Sequence, residues 1–135
     1  MKENKGRNVY FYHSLGKLFY AVAAADKVVR DQEFEQLKSC VVKYWLDLDD
    51  VEDVFNSDAA YLIEIVFDGI LAFDLDSEEM YQAFLDFYRE QNHFFTPDVK
   101  SLILKTAREI ASSFAGVNKS ELMLIARLQI ELHKK

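Results

Sequence analysis

This chain is poor in the residue types on which most small-protein chemistry is built. In 135 residues it has one cysteine, one proline, four glycines and three histidines. A single thiol, Cys40, leaves no partner for an intrachain disulfide, which fits a cytoplasmic, reducing compartment with Cys40 as a buried structural thiol. The glycines are isolated and form no Gly-x-Gly pair, so no phosphate-cradling loop is expected. No serine sits on a strand-borne elbow, and no histidine stands where it could activate Cys40. The chain is therefore expected not to be an enzyme.

Positive charge is scarce as well. Sixteen Lys and Arg stand against 23 Asp and Glu, a net charge of −7, and the basic residues form no stripe. A nucleic-acid binder needs such a footprint to displace counterions, so nucleic acid is excluded and another protein is the expected partner. No apolar run is fit to span a bilayer. The longest, Ala59 to Phe73, is too short and carries Glu64 and Asp68. Lys5 and Arg7 precede an apolar stretch ending Val22-Ala23-Ala24-Ala25, which looks superficially like a secretion leader. His13, Gly16 and Lys17 interrupt it, and its aromatics recur at helical spacing, so it is read as part of the fold.

Apolar side chains are abundant. Half the residues are hydrophobic, with eleven Phe and seven Tyr, enough to fill a thick helical core. The whole chain, residues 1–135, reads as one all-α domain, a bundle of about six to seven helices. Apolar periodicity predicts helices over about 9–25, 31–46, 57–73, 77–91 and 97–114, with a sixth starting at the Asn118–Glu121 capping pair and presenting Leu122, Ile125, Leu128 and Leu132. Ser57, Ser77, Thr96 and Asn118 are expected as caps, and Pro97 suits the first turn that follows Thr96. The third helix is apolar on nearly every side and is expected, with the fourth, to form the inner layer. Asp47 to Asp53 reads as a solvated acidic run, helical or loop.

One segment is written twice. Leu15 to Tyr44 and Ile103 to Leu132 share a pattern at an offset of 88 positions: Lys17 matches Lys105, Ala23 matches Ala111, Val29 matches Val117, Glu33 matches Glu121 and Leu37 matches Ile125. Each copy reads as an apolar helix, a short turn centred on a valine, then an amphipathic helix with a Glu in its first turn. The elbows of the two hairpins are expected to be neighbours.

The first elbow runs Ala23-Ala24-Ala25-Asp26-Lys27-Val28-Val29-Arg30-Asp31-Gln32-Glu33. Small alanines, an Asp, a Val three later and a Glu seven after the Asp resemble the TerB-like family, small helical proteins and domains linked to tellurite resistance and related stress systems. The second elbow repeats the end of the motif in Val117, Asn118 and Glu121. The resemblance implies a non-enzymatic stress-response module with a metal-binding acidic cluster where the repeats meet. It assigns Asp26, Glu33 and Glu121 to one divalent metal ion, names no other cofactor, and implies association with partner proteins or, through a partner, with a membrane surface. The chain departs from the family pattern at two positions: Lys27 replaces the Gly after the Asp, and Phe114 replaces the second Asp. Glu33 and Glu121 also suit a plain structural role, because an acidic side chain at a helix N-terminus is worth about 0.3–1 kcal/mol.

The alternative function is an acidic protein-interaction adaptor without metal, for which Tyr10, Phe11, Phe94 and Phe95 are the expected exposed patch. Two further motifs read as structure. Glu90-x-x-His93 has the spacing of a di-iron ligand pair but lacks a second pair, so it reads as a surface helix end. Asp74-Leu75-Asp76-Ser77-Glu78 has Glu79 where a calcium loop needs Gly, and reads as an acidic turn.

Overall fold

A computed structural model describes residues 8–46, 48, 59–113 and 118–134. Six α-helices run through them: α1 Val9–Ala23, α2 Asp31–Cys40, α3 Leu62–Phe73, α4 Ser77–Glu90, α5 Pro97–Ala111 and α6 Lys119–His133. A π-helical turn, Val41–Trp45, extends α2, and a single 3-10 turn, Asn92–Phe94, separates α4 from α5. There is no strand among the described residues, so the all-α expectation holds. No helix among them is long and apolar enough to cross a membrane.

The duplication is visible in the helix boundaries. α1 and α5 are related by 88 positions at both ends, and α2 and α6 by 88 at their starts. Local chemistry sets these boundaries. Asn8 caps α1 by accepting from Phe11 N–H at 3.2 Å, and Thr96 caps α5 by accepting from Val99 N–H at 3.3 Å, with Pro97 in the first turn. At α4 the cap is Asp76 rather than the expected Ser77: Asp76 Oδ2 accepts from Glu79 N–H at 3.0 Å. Ser77 is the first helical residue, and its hydroxyl donates instead to the Ala21 carbonyl at 2.7 Å, fastening α4 to α1. Ser57, Phe114, Val117 and the Asp47 to Asp53 acids lie outside the described residues.

The inner position belongs to α1, not to α3 and α4 as the apolar pattern had suggested. Eleven of its residues are buried, including Phe11, Leu15, Leu18, Phe19 and Val22, and it packs against α3, α4, α5 and α6. Small residues earn it that place. A Cβ on Gly16 would stand 2.8 Å from both the Ile63 carbonyl oxygen and Val66 Cβ, so α1 and α3 meet at a distance only glycine allows. α3 is an outer helix: it buries Ile63, Phe67 and Ile70 and leaves Ile65 and Phe73 exposed.

Hairpin α1–α2 is tied to hairpin α5–α6 by polar contacts as well as by packing. Trp45 donates its indole N–H to the buried Thr106 hydroxyl at 3.1 Å. Glu109 on α5 accepts from Gln36 at 3.0 Å and from Tyr44 at 2.7 Å, and lies 3.4 Å from Cys40 Sγ. The π turn places Tyr44 and Trp45 on the α5 side. Cys40 is buried as expected; burial and then Glu109 push its thiol up to about 12, far from a reactive thiolate.

Candidate functional site at the paired elbows

The two elbows meet. Asp26, ending the first, is reached across 92 positions by the Asn118 side-chain amide, which donates to Asp26 Oδ2 at 2.6 Å. Asp26 Oδ1 accepts from Val28 N–H at 3.1 Å, folding the elbow back on itself, and Arg30 Nη1 lies 3.1 Å from Oδ2. Lys27, where the TerB-like pattern has Gly, has a φ of 71°, the left-handed region that glycine enters without strain.

Glu33 and Glu121 sit three residues inside their helices, and each closes its own N-terminus. Glu33 Oε1 accepts from Arg30 N–H at 2.9 Å, and Glu121 Oε1 from Asn118 N–H at 3.4 Å. Asn118 completes the second box by accepting from Glu121 N–H at 2.9 Å. In the first copy the cap position is Arg30, whose side chain carries no acceptor and turns to Asp26 instead. Such glutamates normally lie at the surface. These two are each only 1 % exposed, and they face each other.

That juxtaposition governs the electrostatics. Burial first, and then the hydrogen bond and charge of Glu33, push the Glu121 carboxyl up to about 8, with Asp26 adding to the effect and the Asn118 backbone opposing it. Glu121 Oε2 is buried and has no donor unless one of the two carboxyls keeps its proton. Arg30 stands 3.9 Å from Glu33 Oε2 and is shared with Asp26. The joint is thus a buried carboxyl pair in which a retained proton can satisfy Glu121 Oε2.

Of the three residues expected to share an ion, Glu33 and Glu121 come together, and Asp26 is engaged by Arg30 and Asn118. Among the described residues no three His, Cys, Asp or Glu side chains gather as a group able to hold a metal ion. Sequence reasoning missed two participants. Arg30 carried a signal, lying four residues after Asp26. Asn118 was legible as a cap, but its second bond spans the molecule and has no local signature.

The expected aromatic patch does not form. Phe11 and Phe95 are core residues packed on each other at 5.3 Å between ring centroids, Phe94 is half-buried against Phe11, and only Tyr10 is exposed. The connection after α4 needs those rings to close the bundle end over Phe84 and Tyr88. Glu90 and His93 are both exposed at the end of α4. Compared with known proteins, the chain matches no family model, no curated protein and no solved structure.

Proposed function

We propose that this chain is a non-enzymatic, cytoplasmic, TerB-like stress-response module whose ligand is one divalent cation taken up at the joint of its two elbows. The observation that supports this most is the buried, unpartnered Glu121 Oε2 beside a second buried glutamate. An isolated pair of buried carboxylates is costly, and a cation between them would offset that cost for both at once. Glu33 and Glu121 would hold the ion and Asp26 is the third carboxylate of the joint. Hard cations held by only one or two carboxylates complete their shell with carbonyls and water, so a weak, reversible site is the form this takes.

Calorimetric titration of chelator-treated protein with calcium, zinc and manganese tests the proposal. Saturable heat with at least one of them, abolished in Glu121→Gln, is expected. Traces without saturable heat for all three cations in the parent protein would overturn it and leave a shared proton as the occupant of the joint.

A further inference from the structure

We propose that a second site, the groove between the first elbow, the α3–α4 turn and α6, docks an apolar peptide segment of a partner protein that carries a lysine or arginine beside its apolar anchors. The groove encloses about 590 Å³, within the range in which proteins seat a few side chains of a ligand. Its lining combines the apolar Ala24, Leu71 and Leu124 with Tyr20, Ser77 and Ser120, and Leu75 and Met123 stand 40 % and 58 % exposed beside them. Two large flexible apolar side chains at the mouth of a concavity suit a partner that brings its own apolar groups.

Charge selects the partner. Three carboxylates line the groove, those of Asp74, Asp76 and Glu78, against Lys27 and Arg127. Arg127 is spent on Glu78, which it grips with two bonds of 2.8 Å. Asp76 Oδ2 caps α4 by accepting from Glu79 N–H, and neither Asp74 nor Asp76 has an ion pair among the described residues. What remains is two carboxylates facing one lysine. Asp74 sits in the wall as the left-handed C-cap of α3, with a φ of 54°. A second copy of this chain would bring the same acidic rim and the same net charge of −7, and an anionic lipid surface would be repelled for the same reason. A basic, apolar segment meets neither obstacle. The proposal stands whether or not a cation enters the elbow joint.

The test uses the full chain and a fluorescently labelled helical peptide with leucines along one face and lysines flanking them, followed by anisotropy at physiological salt. Saturable binding is expected, weakened about tenfold when the leucines become serine or the lysines become glutamate. The pair Leu75→Ser with Met123→Ser should cost about tenfold. Asp74→Asn, which tolerates the left-handed backbone but removes the charge, should cost about threefold. Asp86→Asn on α4, outside the groove, should bind as the parent does. Absence of saturable binding, or equal loss in Asp86→Asn and the groove variants, would overturn the proposal; circular dichroism of each variant separates lost binding from lost fold.

Discussion

Glu33 and Glu121 hold the same register position in two helices whose starts are 88 residues apart, and the fold brings their carboxyls face to face out of water. Each alone is an ordinary helix-capping glutamate. Together they raise the Glu121 carboxyl, because only the pairing of the hairpins places Glu33 beside it.

The pair makes stability fall as pH rises through neutrality. Burial and the neighbouring Glu33 hold the Glu121 proton to about pH 8, whereas the unfolded chain releases it near the ordinary value of 4.5. Between those values the folded state binds more protons than the unfolded one, so folding weakens by at most about 1.4 kcal/mol per pH unit, and the slope vanishes above about 8. Glu78 acts in the opposite sense at low pH. Arg127 and then Gln82 hold it down to about 2, so its contribution is complete above 4.5 and is lost as pH falls toward 2. Urea unfolding across pH 4 to 9 should therefore show an optimum near pH 5, and Glu121→Gln should flatten the alkaline limb. Parallel limbs in parent and variant would rule the pair out as its cause.

The bond between Asn118 and Asp26 should register as energetic coupling between the hairpins. Asn118→Ala removes both the α6 cap and the cross-elbow bond and is expected to cost about 1–2 kcal/mol. Combined with Asp26→Ala in a double-mutant cycle, the coupling should be about 1 kcal/mol, the ordinary net worth of one side-chain hydrogen bond. Additive losses in chemical denaturation would mean that the two elbows touch without supporting each other.

Much of this was legible in the chain. The 88-residue offset follows from residues such as Ala23 and Ala111 or Glu33 and Glu121, and the observed helices honour it. The burial order was not legible. α3 is the more apolar of the two and α1 carries His13 and Lys17, so periodicity points to α3 as central; Gly16, which lets the two backbones approach, decides for α1. Phe11 and Phe95 looked available because their sequence neighbours form no clean stripe, yet the end of the bundle closes over them. Asp26 was identified as part of the site, but its engagement by Arg30 and Asn118 depends on side-chain directions that no linear pattern encodes.

Lys27 offers a test of the elbow's backbone. Its φ of 71° is unfavourable for a residue with a Cβ. Lys27→Gly should raise stability by about 0.5–1 kcal/mol, the relief of the left-handed backbone exceeding the extra freedom glycine gains when unfolded. Lys27→Ala keeps the Cβ and should give no such gain. If thermal unfolding shows Ala and Gly equivalent at this site, the elbow does not hold residue 27 in the left-handed region.

Two glycine-to-alanine substitutions should move stability in opposite directions, and together they test the central placement of α1. At Gly16 the new Cβ would meet a backbone oxygen, Ile63 O, and Val66 Cβ, each at 2.8 Å, and neither is the end of a flexible side chain. Overpacking of that kind costs about 1–3 kcal/mol, more than the gain of at most about 1 kcal/mol that alanine brings to a helix interior. At Gly69 on α3 nothing lies within 4 Å of the added carbon, so Gly69→Ala should collect only the helix-propensity gain, about 0.5–1 kcal/mol. Thermal unfolding of both variants beside the parent reads the two signs directly. A stabilised Gly16→Ala would mean that α1 and α3 do not touch there, and the first helix would lose its claim to the middle of the bundle.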